Sequence, residues 1–317
     1  ACKTQKARCS LKVSGRPDAL PEPKAFADAI TLDHAIINEE NQSRLKDQVA
    51  LIAQDRFSSW LQAYATQTKN AVDTAASIQS FLGPQTKAKH IYSDNSKEIE
   101  KACKDLEMHG AHDTSRPHRP QTNGVAERAV RRVKEGTGCA LEQSKLDEAW
   151  WSEAMSCYCF LRNVVDKVID GKTPWEKRYD GSKFKGPIIP FGAQIEYKPA
   201  TQKDIDRLHK LGSKMLPGVF VGYSQQKGGG WSGDLLVVDW EELDTADHVS
   251  EVYVKRFAHS EIFPTKDGDK FRFPVATGAL RQPSSHRERT TRRRVRGPAR
   301  DTAGLHVRHL ARQGQGA

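Results

Sequence analysis

IYSDNS (Ile91–Ser96) and PHRPQTNGVAERAVRRVKEG (Pro117–Gly136) bound the stretch whose reading decides the fold. The first is an apolar pair running into an acidic turn, which puts Asp94 at the end of a strand. The second is a Pro/Gly-marked loop feeding a basic helix, with Glu127 about a turn in. The two acids are 33 positions apart and meet only if the chain folds back. A site built that way suits divalent-metal and phosphate chemistry. Alone, each acid has a plainer reading: a turn residue after a strand, or a carboxylate placed for the helix dipole.

Working outward, AITLDHAII places the first strand within Phe26–Ile37. Ile30, Leu32 and His34 point one way, Thr31, Asp33 and Ala35 the other. An acid in a strand headed for burial needs a partner, because an unpaired buried carboxylate is costly. A bound cation supplies one; the alternative is a strand-end Asp capping a turn. Val49–Gln54 and Trp60–Thr66 read as a hairpin. Asp55 lies at its turn and competes with Asp33 as a ligand. The turn role is preferred for Asp55, because the hairpin tip should lie away from a strand-end site.

Asn70–Leu82 has helical spacing and stops before Gly83-Pro84. The strand Ala88–Tyr92 then follows a crossover helix and runs parallel to a neighbour. Ser96–His109 is amphipathic, with Ile99, Cys103 and Leu106 as its apolar stripe. Ala111–Thr114 reads as a short edge strand. The helix from about Asn123 to Gln143 carries Glu127, Arg128, Arg131, Arg132 and Lys134. These cations read either as a solvated face or as a face along a DNA backbone, neutralising phosphates without reading bases.

LDH at Leu32–His34, SDN at Ser93–Asn95 and HRPQTNGVAER at His118–Arg128 come in that order. The set resembles the integrase catalytic core of Ty1/copia-class long-terminal-repeat retrotransposons, over roughly Ala25–Phe263. The resemblance implies an RNase H-like α/β core, a mixed five-stranded sheet flanked by helices. It implies that Asp33, Asp94 and Glu127 are catalytic and hold Mg²⁺ or Mn²⁺ as a two-metal site. The implied reaction is DNA 3′-end processing followed by strand transfer. Asn123 and Gly124 match the loop before the family's glutamate and are expected to shape the approach of DNA. The implied partners are element ends and target DNA, with a homo-oligomer assembled on them and no membrane. The implied compartment is intracellular, nuclear when acting on DNA. Two other readings share the fold: a catalytically dead DNA-binding remnant, and an RNase H-like nuclease. The second fits less well, because the NGxxER helix is an integrase and transposase feature.

The rest of the chain divides by pattern. Residues 1–24 read as a linker or the remnant of an N-terminal module. Integrases carry a His/His/Cys/Cys zinc module there, and Cys2 resembles its last ligand. Cys2 and Cys9 are spaced C-x6-C, not a usual zinc spacing, so no bound zinc is expected. After the core (25–145) comes a helical extension (146–185), whose aromatics read as packing. Residues 186–264 hold four strand patterns and suggest a small β-barrel-like domain. GGGWSG (Gly228–Gly233) lacks GK[ST] and reads as a hairpin tip, not a phosphate loop. After Pro264 the sequence turns Arg-rich, and disorder is expected over 265–317.

Net charge is +10 over 317 residues. From Arg281 to Ala317 there are ten Arg against Glu288 and Asp301, a net of +8 that leaves +2 for everything before it. Nucleic-acid affinity in the folded part must then come from local patches. Mean hydropathy is −0.69, and no run approaches the ~18 apolar residues of a membrane span. ACKTQKARCS lacks the apolar segment of a secretory signal, and without an initiator Met the chain reads as a polyprotein fragment. The six Cys form no disulfide framework. Cys103, Cys139, Cys157 and Cys159 fall in helical patterns and are expected to be buried and reduced.

Overall fold

A computed structural model describes residues 22–114, 124–168, 170–283 and Ser285. All of these lie in one compact unit that runs to His286. Strands β1 (Ile30–Ile36), β2 (Val49–Asp55) and β3 (Leu61–Thr66) form an antiparallel meander. Strand β3 then feeds helix α1 (Ala71–Leu82), which crosses the sheet and returns as β4 (Ile91–Ser93), parallel to β1. Helix α2 (Lys97–Asp105) leads to β5 (His112–Thr114), parallel to β4 at the edge. The resulting order is β3-β2-β1-β4-β5, the mixed five-stranded, RNase H-like sheet expected above.

Period-two alternation decides which helices cover which face. Ile30, Leu32, Leu51 and Ala53 pack with Ile78 and Phe81 of α1 and with Ile99 and Cys103 of α2. The residues between them, Ala35, Ala50 and Ile52, face the other way. They pack with Ala129 and Val133 of helix α3 (Gly124–Ser144) and with Met155 and Cys159 of helix α4 (Trp151–Val165). Local signals set the ends of α1. The Asn70 side chain accepts the Asp73 N–H at 2.7 Å, and Gly83 takes φ 90° as the chain leaves the helix.

A second sheet is antiparallel throughout. It comprises β6 (Gln194–Tyr197), β7 (Leu216–Gln225), β8 (Trp231–Asp239), β9 (Val254–Ala258) and β10 (Ile262–Pro264). Their order is β10-β6-β7-β8-β9. Strands β9 and β10 occupy opposite ends of this ladder, yet only His259–Glu261 separates them in the chain. Three residues reach a short distance, so the sheet must curl to bring its edges together.

Helix α4 serves both sheets. Met155 and Cys159 belong to the first core, while Ala154, Cys157 and Phe160 pack with Phe220, Tyr223 and Val237 of the second. The β7–β8 hairpin tip also docks on the first sheet's layer. Gly228 donates its N–H to Ser80 O at 2.7 Å. Gly229, at φ 79°, lies so close to Trp60 that a Cβ would come within 2.9 Å of the ring.

Two expectations need correction. Disorder was expected from residue 265, but the chain is ordered through Pro283. Lys266–Asp267 and Lys270–Phe271 pair as a small hairpin, and Phe271, Phe273, Val275 and Leu280 pack on the second core. Gln282 then ties this segment back, accepting the Asp147 N–H and donating to Lys145 O. Four spaced apolar residues outweigh a polar composition once a core is at hand. Cys139 is exposed, whereas Cys103, Cys157 and Cys159 are buried. Cys2, Cys9, Asn123 and the Arg-rich segment from Arg287 lie outside the described residues.

Candidate active site

Asp33 lies on the central strand, on the face covered by α3 and α4. The parallel ladder pairs Ile30 with Ile91 and Thr31 with Tyr92. Continued by two residues, the same register sets Asp33 level with Asp94, one strand spacing (about 4.8 Å) away. Both side chains are half-buried. Glu127 is exposed in the first turn of α3.

Asp33 feels the other two acids. Burial first, then the Asp94 carboxylate, and then Glu127 push the Asp33 carboxyl up to about 6, against the His34 backbone N–H and, more weakly, Lys69. A carboxyl held this way gains most from a cation that relieves desolvation and repulsion together. Oxygen-only donors suit Mg²⁺ or Mn²⁺ over softer metals, so the donor set fits that ion type. Among the described residues, no three His, Cys, Asp or Glu side chains stand close enough together to hold a metal as they are. Glu127 is exposed at the start of α3.

Asp94 is fixed at both ends. Its Oδ1 accepts the Ser96 N–H at 3.2 Å, and its carbonyl accepts the Ser93 hydroxyl at 2.7 Å. Asp55 plays the turn role instead. Fully buried, it accepts Ala27 N–H at 2.9 Å, and its other oxygen takes both Ser58 N–H and Ser58 Oγ–H. It stands opposite Ile30, three residues along the strand from Asp33.

On the other face of β1, His34 Nε2 lies 3.2 Å from Thr74 Oγ1. The Thr74 hydroxyl already donates to Asn70 O, so His34 must donate to it from Nε2. Burial and then Lys69 lower His34 to about 4, and the ring is neutral at ordinary pH. Lys69 itself pairs with Glu98 at 3.6 Å. Sequence reasoning missed Lys69 and Glu98, neither of which carries a motif.

The basic face of α3 is only partly a single stripe. Arg128, Arg131, Arg132 and Lys134 are all exposed. At helical spacing, Glu127, Arg131 and Lys134 line one side, and Lys134 reaches Ile36 O at 3.3 Å at the end of β1. Arg132 faces the α4 flank, where its charge acts on Arg162 and Tyr158. Asn123 lies outside the described residues.

No family model matches the chain. It is 27% identical over 202 residues, 55% of its length, to the retrovirus-related Pol polyprotein from transposon TNT 1-94 of Nicotiana tabacum. It is 28% identical over 177 residues to those from transposons RE1 and RE2 of Arabidopsis thaliana. It spans only 13% of the tobacco polyprotein and 12% of each Arabidopsis one. Among solved structures it is similar to the catalytic core domain of BIV integrase, with 24% identity and a TM-score of 0.37, covering 49% of this chain and 95% of that one. A simian T-cell lymphotropic virus intasome in complex with PP2A regulatory subunit B56 gamma gives 16% identity and 0.42, covering 77% and 80%. The HTLV-2 integrase catalytic core in complex with magnesium gives 19% and 0.37, covering 49% and 97%. No helix among the described residues is long and apolar enough to cross a membrane.

Proposed function

We propose, from homology to copia-type retrotransposon Pol polyproteins over 55% of the chain, that this protein is the DNA-joining part of an integrase, a DDE-type polynucleotidyl transferase. One observation carries the reading: the β1/β4 register sets Asp33 level with Asp94, with Glu127 near enough to raise the Asp33 carboxyl. Asp33 and Asp94 are strand-borne ligands and Glu127 the helix-borne one, for two Mg²⁺ or Mn²⁺ ions. Bound there, such ions would supply Lewis-acid assistance to an in-line displacement at phosphorus. No protein nucleophile is then required.

The chain's own groups hold and orient. Asp94, fixed through Ser93 and Ser96, and Asp33, on the middle strand of the sheet, are the rigid pair. Glu127 is the third carboxylate of the set, and Asn123 shapes the approach of DNA. Arg128, Arg131, Arg132 and Lys134 neutralise backbone phosphates without reading sequence. The substrates are element ends, trimmed by water, and target DNA, attacked by the new 3′-hydroxyl; several copies assemble on them.

The test is strand rejoining on a branched DNA substrate with Mn²⁺, comparing the chain with Asp94→Asn. Rejoining that disappears in the variant and in EDTA is the expected result. DNA binding that persists in EDTA without any rejoining would overturn it in favour of a DNA-binding remnant. Cleavage confined to RNA–DNA hybrids would favour a nuclease.

A further inference from the structure

Asp94 sits at the end of a strand only three residues long, and its main chain is held from the side by the sheet's edge strand. His112 on β5 places Nε2 2.8 Å from Ser93 Oγ. The Ser93 hydroxyl spends its one proton on Asp94 O at 2.7 Å, so His112 must be the donor in the pair. A hydroxyl that both accepts and donates in this way has a single rotamer open to it. The chain of contacts is therefore directional, from His112 Nε2–H to Ser93 Oγ, and from Ser93 Oγ–H to the Asp94 carbonyl.

The two faces of the sheet separate this relay from the carboxylates. Ser93 has the parity of Ile91, which packs among the α1 and α2 residues. Asp94 has the opposite parity, that of Asp33. The relay thus approaches from behind the sheet and touches the site only through the backbone. Holding the Asp94 carbonyl fixes the orientation of the peptide that follows it. The Ser96 N–H, two residues on, then meets Asp94 Oδ1 at 3.2 Å. Among the described residues, Oδ1 is the carboxylate oxygen that this contact holds.

We infer that His112 is a positioning residue for Asp94, acting through the Ser93 hydroxyl to hold the carboxylate for a divalent cation. This rests on the proposed metal role of Asp94. Groups behind a ligand tune metal affinity by about 10- to 100-fold where they have been removed.

The experiment is a Mn²⁺ binding titration followed by electron paramagnetic resonance on the full chain, which does not depend on activity. His112→Leu removes the donor, His112→Gln keeps an N–H near the Nε2 position, and Ser93→Ala breaks the relay with the smallest change in packing. Melting temperature is recorded for each. The expected result is Mn²⁺ binding weakened about 10-fold in His112→Leu, largely restored in His112→Gln, and no weaker in the Ser93→Ala/His112→Leu double variant than in the worse single. Wild-type affinity in both His112→Leu and Ser93→Ala overturns the inference while leaving the carboxylate site standing. Absence of Mn²⁺ binding by the wild-type chain overturns the metal reading of Asp94, and the relay's role with it.

Discussion

At the scale of single residues, the charges that matter for stability lie away from the candidate site. Arg44, in the β1–β2 loop, is buried. Its Nε meets Glu153 Oε1 at 2.6 Å, its Nη1 donates to Val252 O at 2.8 Å, and its guanidinium lies 4.4 Å from the Trp150 ring. Arg44→Ala strands the Glu153 carboxylate, and urea unfolding should show a loss of about 3 kcal/mol. A second cluster joins Asp204 and Asp239 to Arg207 and Lys255 in the second sheet. Bonds from Lys255 lower Asp204, and bonds from Arg207 and Tyr197 lower Asp239, in each case against the burial that raises them. A carboxyl lowered in the folded state stabilises above its unfolded pKa and loses that contribution as pH falls through the folded value. The part of the stability that this cluster contributes should therefore hold steady above about pH 5 and drop below about pH 4, read as the difference in thermal melts between the chain and Asp239→Asn. Asp239→Asn should flatten that drop while lowering the plateau.

At the scale of elements, α4 is where the sequence says most. Its apolar residues run around the whole helix, the pattern of a helix buried on every side, and the structure places it between two cores. Close contact with α3 depends on Gly136, where a Cβ would come within 2.1 Å of the Tyr158 ring. Helix propensity favours Ala over Gly by about 1 kcal/mol, so Gly136→Ala is a contest between two effects. The clash is with a ring fixed in a packed interface and should win, destabilising the chain by about 1–3 kcal/mol. In a Tyr158→Ala background the sign should reverse.

Asn163, fully buried near the end of α4, completes the free edge of β3. It accepts the Leu61 N–H at 3.0 Å and donates to Leu61 O at 2.7 Å, as a neighbouring strand would. Asn163→Leu leaves both backbone groups unpaired and should cost about 2–4 kcal/mol. Nothing in a linear sequence marks this amide, because its partner is 102 positions away.

At the scale of the whole molecule, the order of strands and helices was legible because each carries its own signal. Asn70 caps, Gly83 stops, and β1 alternates its apolar residues between two faces. The placement of Asp33 and Asp94 in the sheet was legible because one stands inside an apolar strand and the other where an apolar strand ends. His112, Lys69 and Glu98 were not, since their placement depends on strand register and on helices meeting across the sheet. The ordered segment after Pro264 was missed for a similar reason: Phe271, Phe273, Val275 and Leu280 have no period of their own and gain order only from the core they cover. Charge acts at this scale too. If α3 lies along DNA, the logarithm of affinity should fall linearly with the logarithm of salt concentration. Arg128→Gln and Arg131→Gln should each reduce that slope by about 1, measured by fluorescence anisotropy on duplexes of unrelated sequence. A slope untouched by both would move the DNA path off this helix.

The most direct measurement of the central claim is anomalous scattering from crystals of the chain grown or soaked with Mn²⁺. Manganese peaks are expected between the Asp33 and Asp94 carboxylates, with Glu127 drawn toward them, and no peaks in Asp94→Asn crystals. Manganese elsewhere, or none beside Asp33 and Asp94 in a well-ordered crystal, would contradict it.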